Sequence, residues 1–133
     1  MADFTATTEG VRITVSPVFL DERSDPDEGQ WVWAYHVVIE NVSERTVQLR
    51  RRTWLITDAL GRTLRVEGEG VVGEQPVLAP GGRFEYTSGT PLPTSSGFMR
   101  GSYRMKDMAS GEAFDAQVPP FSLDSPFSGG AVH

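Results

Sequence analysis

The feature that most constrains this chain is the spacing of its apolar residues, which recur at every second position between frequent prolines and glycines. A period of two is the pattern of a β-strand, whose successive side chains point to opposite faces of a sheet. In Trp31–Asn41 both alternating sets are apolar, which predicts a central strand. The other predicted strands are Val11–Ser16, continuing towards Phe19; Thr46–Leu49 and Arg52–Asp58, as one long or two broken strands; Thr63–Glu67; Phe84–Ser88; Gly97–Asp107; and Ala113–Val118.

Turn residues separate these strands. Asp58–Arg62 and Asp107–Gly111 each place an aspartate before a glycine, which is typical of a hairpin turn, and Pro80-Gly81-Gly82 marks another turn. Seven or eight short strands without helical periodicity predict an all-β protein, an antiparallel β-sandwich of the immunoglobulin or fibronectin type III kind. A closed β-barrel is the alternative.

The chain of 133 residues has the length of one domain. We expect residues 1–126 to form the sandwich. After Val118, the prolines and the Ser/Gly-rich end have little to pack, so residues 127–133 are expected to form a flexible tail.

Composition restricts the cellular setting and the class of partner. The chain has no cysteine, which excludes disulfides and thiolate chemistry and fits a reducing compartment. Its longest apolar run, Trp31–Tyr35, is far shorter than the ~20 residues of a membrane helix, and no signal peptide is visible. We therefore expect a soluble, cytoplasmic protein. Eighteen acidic against twelve basic residues give a net charge of −6, which argues against nucleic acid or a membrane as partner.

Metal ligands and catalytic motifs are sparse. His36 and His133 are the two histidines, and His36 is interpreted as a strand histidine bonded to its neighbours. The acidic loop from Asp21 to Glu28 offers carboxylates for a hard cation, but it lacks EF-hand spacing, so a solvated loop is favoured over a metal site. The weak candidate ligands are Asp21, Asp25, Asp27 and Glu28. Hydrolase motifs are missing, and although a carboxylate pair stays open, we expect no catalytic residue, no cofactor and no enzymatic activity.

The triplet Arg50-Arg51-Arg52 precedes Trp54, a mixture that a nucleic-acid surface would use. Successive residues of a strand point to opposite faces, however, so the three charges would not form one patch. The preferred interpretation is the solvated end of a strand.

One glycine motif could hold an anion. Gly68, Gly70 and Gly73 fit the pattern Gly-x-Gly-x-x-Gly, but Pro76 and Pro80 follow closely, so no helix can begin there as a Rossmann site requires. A nest of backbone N–H groups, assisted by Arg62 and Arg65, is one hypothesis. A bend that glycine permits between two strands is the other.

Two runs of residues are specific enough to suggest a family: Val71-Val72-Gly73-Glu74-Gln75-Pro76 and Tyr86-Thr87-Ser88-Gly89. With them the chain resembles the ApaG family of bacterial proteins, from about Val11 to Pro126. The resemblance implies a fibronectin type III-like sandwich, a link to cobalt and magnesium resistance, and reuse as a protein-interaction domain in larger proteins. It also implies pyrophosphate binding by the glycine motif, which Gly68, Gly70 and Gly73 match here.

Three functions are compatible with these observations. A non-catalytic module that binds a protein partner is preferred, followed by a nucleotide or pyrophosphate binder that uses the glycine motif, and then by a metal-homeostasis factor that holds cations. Because an open sandwich leaves unpaired strand edges, we also expect self-association into a homodimer through such an edge.

Overall fold

The computed structural model describes residues 3–127, and these contain nine strands. Two short 3₁₀ turns, Asp21–Arg23 and Pro26–Glu28, lie between the second and third strands. The strands are β1 Phe4–Thr8, β2 Val11–Phe19, β3 Trp31–Asn41, β4 Val47–Asp58, β5 Thr63–Glu69, β6 Val77–Leu78, β7 Arg83–Leu92, β8 Gly97–Asp107 and β9 Ala113–Leu123. No helix in this part of the chain is long and apolar enough to cross a membrane.

The strands form two antiparallel sheets. Sheet 1 has the order β1-β2-β3-β7, and sheet 2 has the order β5-β4-β8-β9, with β6 paired to β4 beyond the end of β5. In the lettering of immunoglobulin-type sandwiches, sheet 2 corresponds to strands C′ (β5), C (β4), F (β8) and G (β9). It therefore has the C′-C-F-G order of such a sandwich. The predicted all-β sandwich is confirmed, and the alternative of a closed barrel is wrong because the strands divide between two sheets.

The two sides of the sandwich differ. On one side β1 packs against β9: the rings of Phe4 and Phe121 lie 6.1 Å apart, and the Gln117 amide donates to the Thr8 hydroxyl at 3.1 Å. On the other side β5 of sheet 2 faces β7 of sheet 1, and we call this the open side.

Three details of the strand prediction were wrong. Two strands were missed: β1, in which Phe4 and Ala6 are the only apolar residues, and the two-residue β6. The last strand does not end at Val118 but continues to Leu123, whose side chain is fully buried. Of the predicted tail only Phe127 is described, and its ring lies 6.2 Å from that of Phe19; the rest of the tail and its boundary lie outside the described residues.

Aromatic rings fill the centre of the core. Trp54 of β4 makes edge-on contacts with Tyr35, Tyr103 and Phe121, at ring-centroid distances of 5.4, 6.0 and 6.1 Å. Edge-to-face pairs of this kind are worth about 0.5–1.5 kcal/mol each beyond the area that they bury. Trp54 therefore joins the inner faces of both sheets.

Two bulges interrupt sheet 2. In β4 the register passes from Leu49 opposite Met105 to Arg51 opposite Arg104, which leaves Arg50 as an extra residue. In β9 Pro119 and Pro120 both lie opposite Arg100 of β8. Proline has no N–H to donate, and an edge strand with a bulge is where a sheet tolerates it.

Buried aspartates hold the two hairpin turns. Asp58 accepts hydrogen bonds from the amides of Leu60 and Arg62 and from the Arg62 guanidinium, at 2.9 to 3.0 Å. Burial favours a higher pKa for Asp58, but these hydrogen bonds outweigh it and hold the pKa below its usual value. Asp107 accepts from the amides of Ala109 and Ser110 and from Arg45, and its pKa is lowered in the same direction.

These two aspartates predict a defined loss of stability in acid. Because their folded pKa values are depressed, their contribution is complete above the unfolded value of about 3.9 and is lost as the pH falls through the folded values. In the Asp58→Asn/Asp107→Asn variant, which keeps an acceptor oxygen for each turn, the free energy of unfolding should depend less steeply on pH in this window. Urea unfolding between pH 2 and 7, compared with the wild type, measures this, and equal slopes would contradict it.

Candidate functional site

The glycine loop, residues Gly68 to Glu74, joins the end of β5 to the segment before β6. Val71 and Glu74 exchange two backbone hydrogen bonds of 2.8 Å around Val72 and Gly73. Both central residues have positive φ, +43° and +80°, as a type I′ turn requires. Gly73 suits this turn, whereas a β-branched valine in the left-handed region is strained by about 1–3 kcal/mol.

Gly70 is held by close packing. Its φ is +65°, and a Cβ there would lie 2.2 Å from the carbonyl oxygen of Glu74. The next residue, Val71, is fully buried and anchors the loop in the core. Gly70 therefore has a structural role that any side chain would disrupt.

Because Gly68 has no side chain, the guanidinium group of Arg52 can reach the loop from the inner face of sheet 2. Arg52 of β4 lies opposite Gly68 on one side and Tyr103 on the other, which places it on the inner face of sheet 2. Its Nη1 donates to the carbonyl oxygens of Glu69 and Gly70 at 3.3 and 2.9 Å. A Cβ on Gly68 would lie 2.8 Å from this same nitrogen. The loop thus turns carbonyl oxygens towards a guanidinium group.

The backbone N–H groups of the loop are largely engaged. The amide of Gly70 donates to the Arg50 carbonyl at 2.8 Å, and those of Val71 and Glu74 donate to each other's carbonyl groups. An anion nest needs successive N–H groups that point at the ligand. The loop geometry therefore favours the structural interpretation of the motif, and anion binding there stays a prediction.

The two arginines of the anion hypothesis lie apart from the loop. Arg62 precedes β5 and contacts Asp58 at 2.9 Å, so it stands about 25 Å along the strand from Gly70. Arg65 lies on the outer face of sheet 2 and pairs with Glu67 at 3.0 Å. The hydrogen bond from Arg65 lowers the pKa of Glu67, as expected for a charged partner.

The acidic loop does not form a cluster. Within residues 3–127, no group of three or more histidine, cysteine, aspartate or glutamate side chains is placed to hold a metal ion. The weak candidates Asp21, Asp25, Asp27 and Glu28 are distributed over the two 3₁₀ turns and the residues beside them. His36 contacts Thr87 at 2.7 Å and Glu85 at 3.3 Å, as expected for a strand histidine bonded to its neighbours.

The arginine triplet is not a strand end. It lies in the middle of β4, and the bulge at Arg50 leaves both Arg50 and Arg51 exposed while Arg52 turns inward. The sequence interpretation was wrong here because strict alternation fails at a bulge.

A groove on the open side was missed from the sequence. It encloses about 290 Å³ between β4, β5 and the end of β7. Its apolar lining is Ile56, Leu64, Pro91, Leu92 and Pro93. Leu64, on the edge strand β5, is 63% exposed. The sequence signal for the groove was the alternation of Leu64 and Val66. In the structure these residues lie on β5, a strand that has a neighbour on one side only.

Comparisons with known proteins identify the family. A family model for the ApaG domain matches residues 21–107. The chain belongs to the ApaG domain family. A Protein ApaG from a Bradyrhizobium species is 60% identical over 129 residues, which cover 97% of this chain and 98% of the relative. A Protein ApaG from Rhodopseudomonas palustris is 62% identical over 123 residues, 92% of this chain and 94% of the relative.

A solved structure supports the fold. The crystal structure of a Bordetella pertussis protein named ApaA is 42% identical, with a TM-score of 0.83 over 95% of this chain and 98% of the other. In this ApaG domain the segment matched by the family model contains the glycine loop, Arg52 and the whole groove.

The strained turn at Val72 gives a stability prediction. Val72→Asn should stabilise the protein by about 1 kcal/mol, because asparagine adopts positive φ at lower cost and Asn-Gly is the preferred type I′ pair. Gly70→Ala should lower the free energy of unfolding by more than about 1 kcal/mol, because it adds strain at positive φ to a backbone clash. Urea unfolding measures both changes, and a Val72→Asn variant less stable than the wild type would contradict this account.

Proposed function

We propose that this ApaG domain is a non-catalytic binding module that holds an extended segment of a partner protein on its open side. The observation that carries the proposal is an apolar groove beside a free strand edge. The edge of β5 offers unpaired backbone N–H and C=O groups, and the groove takes an aliphatic side chain. Main-chain pairing gives such a site affinity, and the groove gives it specificity.

Exposed leucines extend this surface. Leu60, in the turn between β4 and β5, is 71% exposed, and Leu64 lies on the groove itself. The ion pair between Arg62 and Asp58 fixes the turn at one end of the groove. A partner segment would therefore meet an ordered edge rather than a loose loop, which reduces the entropy cost of binding.

The state of the carboxyl groups supports a role without catalysis. Hydrogen bonds and arginine partners lower the pKa of Glu40, Asp58, Glu67, Glu85 and Asp107. A general acid at neutral pH needs a pKa that is raised instead. On this proposal the link to cobalt and magnesium resistance that the family resemblance implies acts through the bound partner.

A selection of random linear peptides displayed on phage tests the proposal. Peptides selected on the wild type should be extended, should carry a large aliphatic residue, and should protect amides of β5 from hydrogen exchange. Leu64→Glu should weaken their binding at least about tenfold, because it places a charge in the groove. Val42→Glu, which changes an exposed apolar residue in the turn before β4, is the matched control and should bind normally.

Two results would contradict the proposal. The first is peptide binding that Leu64→Glu leaves unchanged. The second is a dimer in light scattering that Leu64→Glu converts to a monomer, because the occupant of the open side would then be a second copy of this chain.

A further inference from the structure

The outer face of sheet 2 carries a cavity that the proposed function does not use. It encloses about 650 Å³ over a floor of small residues, Thr53, Gly101 and Ser102. Gly101 lies opposite the buried Trp54, so it offers only backbone to the outer face. The volume of the depression lies in the range of small-molecule sites.

Arginines stand at both ends of this depression. Arg51 and Arg104 lie directly opposite each other on β4 and β8 at one end. At the other end Arg65 and Arg100 flank Leu55, on β5 and β8. Four residues of β4 separate the two ends, which corresponds to about 13 Å along the strand.

Two of the four arginines form no ion pair. Arg65 pairs with Glu67 at 3.0 Å and Arg104 with Asp115 at 3.1 Å. Within residues 3–127, the side chains of Arg51 and Arg100 form neither a hydrogen bond nor an ion pair, although the charge of Arg51 helps to lower the pKa of Glu67. Like charges directly opposite each other destabilise a sheet, so the Arg51–Arg104 pair carries a cost that an anion between them would remove.

The positive charge is concentrated on this face of an acidic protein. An adjoining cavity adds Arg50 and Lys106, so that six of the twelve basic side chains line the two cavities. Three carboxylates line them as well, Glu67, Glu69 and Asp115. The other six basic residues share the rest of the chain with fifteen acidic ones. A long polyanion would meet that negative surface, whereas a small anion would meet the positive face alone.

The remaining lining gives the ligand its chemistry. Pro120, which is exposed and follows the buried Val118 and Pro119, gives the cavity an apolar wall at one side, suited to the face of a ring. The hydroxyl groups of Thr53 and Ser102 lie on the floor between the arginines and can bond the hydroxyl groups of a ligand. Arginine forks match the oxygens of phosphate groups.

We propose that this cavity binds a small sugar that carries a phosphate group at each end. One phosphate lies between Arg51 and Arg104, and the other between Arg65 and Arg100. The sugar ring rests against Pro120, above Thr53 and Ser102. The site is separate from both the glycine loop and the groove.

Titration with fructose 1,6-bisphosphate, followed by amide chemical shifts, tests the proposal. Saturable shifts should be confined to the segments that line the cavity, around Arg51–Leu55 and Arg100–Arg104 and at Arg65 and the residues beside Pro120. Arg51→Gln and Arg100→Gln should each weaken binding about tenfold or more, because each removes a charge-assisted contact. Arg83→Gln, which removes the same charge from an exposed pair with Glu85 on sheet 1, is the matched control and should bind as the wild type does.

Thermal unfolding without ligand adds a second measurement. Arg51→Gln should raise the melting temperature by about 1–3 °C, because it relieves the repulsion with Arg104. If Arg51 serves ligand binding, its replacement is thus expected to raise the stability of the ligand-free protein. If Arg51 had only a structural role, its replacement would not raise that stability.

Three results would overturn the proposal. Inorganic phosphate or fructose 6-phosphate that binds as tightly as the bisphosphate would show a general counter-ion surface. A poly-glutamate peptide or a single-stranded oligonucleotide that binds these residues when the bisphosphate does not would show a site for a polymer. Binding that survives both arginine substitutions would place the ligand elsewhere. Leu64→Glu leaves this site intact, so the outcome of the bisphosphate titration is independent of the outcome of the peptide test.

Discussion

The extra residue at Arg50 determines which way every later side chain of β4 points. With strict alternation, an inward Leu49 would put Arg51 in the core and Trp54 in solvent. The bulge shifts the alternation by one position, so that Trp54 packs among Tyr35, Tyr103 and Phe121. Because β4 lies between β5 and β8, the same shift sets the faces of its neighbours across the ladder.

The inward position of Arg52 follows from that shift and accounts for part of the glycine loop. A guanidinium group on an inner face loses hydration and must find acceptors. It finds them in the carbonyl oxygens of Glu69 and Gly70, and it can reach them because Gly68 has no side chain. Its charge also opposes the rise in pKa that burial imposes on Tyr86 and Tyr103. One half-buried cation thus connects a loop motif to the tyrosines of the core.

Most of the strands could be predicted because their alternation is regular. Trp31–Asn41 and Gly97–Asp107 match β3 and β8 at both ends, since apolar side chains recur on one face of each strand. Phe4–Thr8 could not be recognised, because a half-buried edge strand needs few apolar residues. The bulge at Arg50 was equally hidden, since an arginine run is compatible with alternation or with its interruption.

The candidate site was less accessible to sequence reasoning. Glycine spacing reports that the chain turns tightly, but it does not say whether N–H or C=O groups face the ligand. In the loop from Gly68 to Glu74, the hydrogen bonds from Arg52 show that C=O groups face the guanidinium group. The groove depends on how the end of β7 packs beside β4 and β5, which is a property of packing between sheets. Leu64 looks like an ordinary core position in the sequence, but it lies on the open groove and is exposed.

The unequal sides of the sandwich limit how copies of this molecule can aggregate. On one side β1 packs against β9, and Pro119 and Pro120 remove two backbone donors from β9. The uncovered edges of β5 and β7 both lie on the other side. Growth of a fibre by strand addition needs two available faces on each molecule, one to join and one to extend. A pair formed through the open side would use up that face in both copies, so strand pairing would stop at a closed, two-fold symmetric pair.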